Sequence, residues 1–274
     1  MPTVPLRVGS VPYLVGRPLD DGLERESGIE YSRRVPSELV EGLRSGALDV
    51  ALVSSIELFR LPGYRYISGV AIAGRGNVGS VQLFLRKPIG EVKTVALDPA
   101  SRTAATLVQV LLAGQGLRFE EVARGVDPRS ASTDSWLRIG DAALREALAP
   151  NAPPVFNPSK EWCARTGLPF VFAAWIVRAG VEITPEQLAA FARARARGKK
   201  RVDELARAAA LEWKLGEAQC LDYLRRECVY ELGADEMRRA LHAFRDGAAP
   251  LGLARAELAP QPISLEPAPA RRNA

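Results

Sequence analysis

TGLPFVFAAWIVR, residues 166–178, is the stretch on which the layout of the chain turns. Gly167 and Pro169 mark a turn, and every residue from Pro169 to Val177 is apolar or aromatic before Arg178 closes the run. A bilayer span needs about 20 such residues, so this is not one. A short run rich in Phe, Val, Ile and Trp, bounded by turn residues, reads as a strand buried on both faces. Alternating strand and helix patterns precede it, and almost purely helical sequence follows it. A buried strand in that position returns the chain from one lobe to another. Phe170 to Phe172 are expected in the second lobe and Ala173 to Trp175 at the crossing.

Upstream, LRVGSVPYL (6–14) reads as a strand running into a loop at Pro12 and Gly16, followed by a helical segment from Pro18. A strand over 29–35 leads to a helix with Ser37 as N-cap and Gly46 as its stop, then a buried strand over 48–53. Ser54 and Ser55 end that strand, ahead of a helix over 56–61. Strand and helix in tight succession imply a parallel sheet, and such sheets bind ligands beyond the carboxyl ends of their strands. Ser54, Ser55 and the 12–17 loop are therefore candidates by geometry. Strands over 66–73 and 80–86 flank GRGNVG, whose glycines lack the strand-before, helix-after setting of a phosphate cradle and read as a turn.

The pattern restarts with a strand over 92–98, Pro99, and a helix for which Ser101 is the N-cap candidate. Strands over 119–125 and 135–141, a helix over 142–149, a Pro/Asn loop and a short helix capped by Ser159 lead to the return strand. From Pro185 to Asp246 the sequence is helical, with stripes at Leu221/Leu224/Cys228 and Met237/Leu241/Phe244. Residues 247–274 are rich in Ala and Pro and read as an extended or disordered tail. The expected layout is an α/β chain of two lobes. Residues 1–86 and 176–246, with the C-terminal helices, form the first, and residues 87–175 the second. A ligand cleft lies between them, a preferred binding position where hinged closure excludes water.

With 274 residues, 47% hydrophobic and 25% charged, the composition is that of an ordinary globular protein. The net charge of +5 suits an anionic small ligand, and 7% aromatic residues leave little for base stacking. Arg193, Arg195, Arg197, Lys199, Lys200, Arg201 and Arg207, set against Asp203 and Glu204, read as a solvated helix face, since no nucleic-acid motif accompanies them. Cys163, Cys220 and Cys228 lack C-x-x-C spacing and read as reduced thiols. No secretory signal or membrane-length apolar run is visible. The expectation is a cytoplasmic protein with a small-molecule partner, no nucleic acid and no membrane, its homo-oligomeric state left open.

The single histidine, His242, lies in a C-terminal helix beside the Met237/Leu241/Phe244 stripe and reads as an ordinary helix residue. Its isolation argues against hydrolases built on Ser–His or Cys–His pairs and against His-based metal clusters. Neither G-x-x-x-x-G-K-[ST] nor G-x-G-x-x-G occurs. What remains is hydroxyls at strand ends: Ser54, Ser55, Ser80, Ser101 and Thr103. A helix N-terminus binds carboxylates through its free N–H groups, and Arg102 would add a bidentate partner. Asp141, following Gly140, reads first as an N-cap.

VGSVPYLVGRPL (8–19), VPSELVEGLRSGALDVALVSSIEL (35–58), ALDPASRTAATLVQVLL (96–112), RIGDAALRE (138–146) and TGLPFVFAAWIVR together resemble the chorismate dehydratases of the futalosine route to menaquinone. The resemblance spans roughly residues 6–246, and RIGDAALR and TGLPFVFAAW are its most specific pieces. It implies a type II periplasmic-binding-protein-like fold and dehydration of chorismate to 3-[(1-carboxyvinyl)oxy]benzoate. It implies no metal or organic cofactor, with a carboxylate of the substrate taking the proton. The substrate-binding set is then Ser54, Ser55, Ser80, Ser101, Arg102, Thr103, Gly140 and Asp141, with no catalytic side chain assigned. The sister dihydroxynaphthoate synthase carries a histidine in an I-H-E context, where this chain has Ile139-Gly140-Asp141. Val15 stands where the family has Asn, and Asn157-Pro158-Ser159 where it tends to Asp-Leu-Gly. A lost hydrogen bond to a charged group costs roughly 1.5–3 kcal/mol, and Arg17 lies close enough in sequence to compensate. A non-catalytic receptor for an aromatic carboxylate is the alternative on the same fold.

Overall fold

Strand and helix alternate through the first 166 residues, and the computed structural model, which describes residues 4–100 and 102–265, sorts them into two sheets. The chain opens with β1 (Leu6–Ser10), α1 (Arg17–Asp20), β2 (Ile29–Arg33), α2 (Pro36–Ser45), β3 (Val50–Ser54) and β4 (Arg65–Gly74). It continues with β5 (Val81–Leu85), β6 (Thr94–Leu97), α3 (Arg102–Leu111), β7 (Arg118–Glu121), β8 (Ser135–Ile139), α4 (Gly140–Ala147), β9 (Val155–Phe156) and α5 (Pro158–Thr166). Then come β10 (Phe170–Val177), α6 (Pro185–Lys200), α7 (Val202–Trp213), α8 (Glu217–Asp222), β11 (Val229–Glu231), α9 (Ala234–Ala248) and β12 (Gln261–Ser264).

The larger sheet runs β11-β4-β10-β3-β1-β2, with β12 also on β4, and the smaller runs β7-β6-β8-β5-β9. β1 pairs in parallel with β2 and β3, and β6 with β7 and β8, as short strand–helix–strand units demand. β10 and β5 run antiparallel to their neighbours, because each brings the chain back from the other sheet. Hydrogen-bonded strands flank β10 on both sides, and helices cover it. Trp175 meets Phe191 of α6 with ring centroids 5.0 Å apart, and Phe170 meets Phe244 of α9 at 4.9 Å. This is why no polar residue interrupts it.

Strand membership moves the boundaries expected from sequence. β5 belongs to the smaller sheet, so the first crossing falls between Gly74 and Val81 rather than at residue 86. All of β10 lies in the larger sheet, with Phe170 opposite Gly74 and Ala173 opposite Ser54, so Phe170 to Phe172 do not sit in the second lobe. The return crossing is made by α5 instead. Asn157 caps that helix by accepting from Lys160 N at 2.9 Å, the role expected of Ser159, and Gly167 closes it with φ +67. Likewise α2 starts at Pro36 with Val35 at its N-cap position, not Ser37.

The C-terminal region is not purely helical, and of the expected extended or disordered tail residues 247–265 are ordered, ending in an extended strand, while 266–274 lie outside the described residues. β11 and β12 both pair with β4, and Pro262 is accommodated because β12 is an outer strand with an unpaired side. The arginine run is paired rather than simply solvated. Arg193 and Arg197 meet Glu26 at 2.6 and 2.8 Å, and Arg201 meets Asp21 at 2.6 Å, docking α6 onto the segment after α1.

Candidate active site

Both sheets contribute to one cavity. Its base is Val53 and Ser54 at the end of β3, Ile72 of β4, and Phe172 and Ala173 of β10. Val11, Tyr13 and Val15 of the loop after β1 close one side. The smaller sheet supplies Val78, Ser80 and Val81 at the crossing, Ala100, Thr103 and Ala104 around the start of α3, and Ile139 and Gly140 at the β8–α4 junction. The cavity is a narrow cleft, and the roughly 610 Å³ of non-atom space about it includes open solvent at its mouth. Ala173 sits directly opposite Ser54 in the β10–β3 ladder, so a small side chain there leaves room above the serine.

The wall is largely apolar with few polar groups. Ser54 makes no capping bond to the 3-10 turn that follows it. Thr103 Oγ1 accepts from Ile56 N at 3.3 Å, which leaves its own proton for the cavity. Tyr13 lies against Gly140, and its phenol is pushed up to about 12 by burial and by the nearby Asp98 and Asp141. It is therefore a neutral donor at working pH. Burial also raises Asp98 and Asp141 above the usual carboxylate range, although each accepts a backbone N–H. Gly140 is required twice over. Its φ is +67, and a Cβ there would lie 3.1 Å from Tyr13 Cδ1. The first N–H groups of α4 have no side-chain cap, since Ile139 occupies the N-cap position.

Of the residues expected from sequence, Ser54, Ser80, Thr103 and Gly140 converge on the cavity. Three others do not. Ser55 is fully buried and donates to Val171 O at 2.6 Å, tying β3 to β10. Arg102 turns to Glu57 at 3.6 Å, a buried carboxylate also held by Arg44 and Arg60 at 2.6 and 3.1 Å. Asp141 is not an N-cap. It accepts from Leu14 N at 3.0 Å, so it joins the α4 start to the loop after β1 across the two sheets. Ser101 lies outside the described residues. The loop over 12–17, a candidate from its place after the first strand, brings Tyr13 and Val15 to the wall. His242 is half-buried on α9 and takes no part in the cavity wall.

The menaquinone-biosynthesis family model matches residues 6–250, which takes in every wall residue. The chain belongs to that family. It is 33% identical over 223 residues to the chorismate dehydratase of Thermus thermophilus, a match covering 73% of this chain and 82% of that protein. It is 29% identical over 167 residues to the chorismate dehydratase of Campylobacter jejuni, covering 59% and 58% respectively. Among solved structures it is similar to a structural-genomics protein of Archaeoglobus fulgidus, with TM-score 0.74 and 17% identity over 90% of this chain and 98% of that one. It is also similar to the alkanesulfonate-binding protein of Xanthomonas axonopodis pv. citri, with TM-score 0.66 and 16% identity over 95% and 98%. At such identities these neighbours fix the fold alone, and that fold is periplasmic-binding-protein-like, two sheets with a cleft between them.

Proposed function

We propose that the chain dehydrates chorismate to 3-[(1-carboxyvinyl)oxy]benzoate in menaquinone biosynthesis. The observation that carries the reading is the make-up of the wall. Among its described residues there is no histidine, carboxylate, lysine or arginine, yet the hydroxyl-bearing residues Ser54, Ser80, Thr103 and Tyr13 line it. Such a wall can orient a dianion through hydroxyls and the N–H groups that begin α3 and α4. It offers no side-chain base, which fits a reaction in which the substrate's own carboxylate takes the ring proton. A C–H and a C–O bond break, the ring becomes aromatic, and the proton and hydroxide leave as water. Aromatisation supplies the driving force, and the protein's work is orientation and exclusion of solvent.

Closure of the two sheets as lobes is part of the proposal, supported by the Asp141–Leu14 bond and by Tyr13 lying on Gly140. Gly140 speaks against the sister synthase, because a histidine there would be strained at φ +67 and its Cβ would crowd Tyr13 at 3.1 Å. Val15, an apolar residue in the wall, favours the second reading, a receptor that binds an aromatic carboxylate without turning it over. Among the described residues no helix is long and apolar enough to cross a membrane, and cytoplasmic location belongs to the proposal. Incubation with chorismate, followed by ultraviolet absorbance and mass spectrometry, separates the two readings. The aromatic enol ether supports dehydration. A rise in melting temperature on adding chorismate, with no product, supports the receptor.

A further inference from the structure

Ser80 is held from behind by a part of the chain far from it in sequence. After α8 the backbone makes one turn of π-helix, Tyr223–Glu227, and this turn grips the crossing segment at three points. Tyr223 Oη donates to Ser80 Oγ at 2.7 Å within the buried interior. Glu227 accepts from Asn77 Nδ2 at 2.7 Å and from Gly79 N at 2.6 Å. From the other side, Ser80 O accepts from Gly140 N at 2.8 Å. The backbone of Ser80 and one lone pair of its hydroxyl are thus both fixed.

Proton bookkeeping at this pair has a direction. A serine hydroxyl has one proton and two lone pairs. A phenol is the stronger acid of the two, and burial keeps that of Tyr223 protonated; Cys228 also lies against the phenol, but a thiol sulfur is a weak acceptor, so the proton goes to Ser80 Oγ at 2.7 Å. When Tyr223 donates to Ser80 Oγ, the serine proton is left for a partner on the remaining side, where Ser80 faces the cavity. We propose that Tyr223 is a positioning residue, which fixes the Ser80 hydroxyl so that its proton is presented to an oxygen of the bound substrate. Without the phenol, Ser80 is free to rotate its proton away from the substrate or toward the buried space behind it. The C-terminal helices, which supply no wall residue, act on the site through this contact. This inference rests on the dehydration reading above.

A double-mutant cycle on kcat/KM for chorismate tests it, with wild type, Tyr223→Phe, Ser80→Ala and the double variant. Wild-type turnover is established first, because its absence removes the dehydration reading and this proposal with it. Given turnover, Tyr223→Phe is expected to lower kcat/KM about five- to tenfold in the wild-type background and less than twofold in the Ser80→Ala background. A loss of equal size in both backgrounds, or none in the first, overturns the proposal and leaves the dehydration reading standing. Replacement of Tyr223 by 3-fluorotyrosine, which keeps the shape and strengthens the donor, guards against a folding defect in the Phe variant. It is expected to hold kcat/KM at or above the wild-type value, and a fall of fivefold or more overturns the proposal.

Discussion

Gly140→Ala is a sensitive probe of the site, because Gly180→Ala controls for half of its effect. Both glycines have left-handed backbones, φ +67 and +76. A non-glycine residue in that region costs about 1–2 kcal/mol. A Cβ at Gly180 meets nothing within 4 Å, whereas one at Gly140 lies 3.1, 3.2 and 3.3 Å from three atoms of the Tyr13 ring. Backbone strain alone is expected to lower the melting temperature of either variant by about 2–8 °C. Only Gly140→Ala must also push Tyr13, a wall residue, by a few tenths of an ångström. If ~1.4 kcal/mol of that displacement falls on the substrate-bound state, kcat/KM drops about tenfold. Thermal unfolding and chorismate kinetics on both variants give the comparison. Equal kcat/KM in the two variants would refute the placement of Tyr13 against Gly140 in the working site, whatever their melting temperatures.

Three further outcomes are expected. Ser55→Ala removes the buried donor to Val171 O, at a cost of about 0.5–1.5 kcal/mol in urea unfolding, with kcat/KM per folded molecule unchanged. Asp49 ionises at about 2 rather than the ordinary 3.8; burial opposes its charge, but bonds from Arg7 and Arg178 outweigh that. A depressed carboxylate contributes stability that is complete above its unfolded value and is lost as pH falls through the folded one. Wild type should therefore lose stability more steeply than Asp49→Asn between about pH 4 and pH 2, read by urea midpoints across that range; parallel curves would remove the assignment. Val15→Asn places an amide in the wall, and one added hydrogen bond to a substrate carboxylate, ~1.5 kcal/mol, would lower KM about tenfold. An unchanged KM would mean that Val15 does not face the substrate.

The return strand was legible because an unbroken apolar run between turn residues permits little else. Its lobe was not, because the pairing of Ala173 with Ser54 and of Phe170 with Gly74 is decided by strands some hundred residues upstream. The strand-end rule found Ser54, Ser80 and Thr103, which depend only on local pattern. It could not separate Ser54 from Ser55, since Ser54 ends β3 while Ser55 opens the 3-10 turn after it, and only the folded chain says which of the two meets the cavity. Arg102 and Asp141 were misread for a related reason: Glu57 and Leu14, their partners, come from distant segments. β12 has no sequence signature, because Gln261-Pro262-Ile263-Ser264 holds a single β-branched residue and a proline. Tyr223 carries no local signal at all, and its contact with Ser80 exists only in the folded chain.

The central claim is that this cavity dehydrates chorismate without a side-chain base. Purified protein given chorismate and no added metal or cofactor tests it most directly, with the product followed by mass spectrometry. The account predicts 3-[(1-carboxyvinyl)oxy]benzoate, formed at a rate proportional to protein concentration. Chorismate recovered unchanged, from protein that is folded and whose melting temperature chorismate raises, would contradict it.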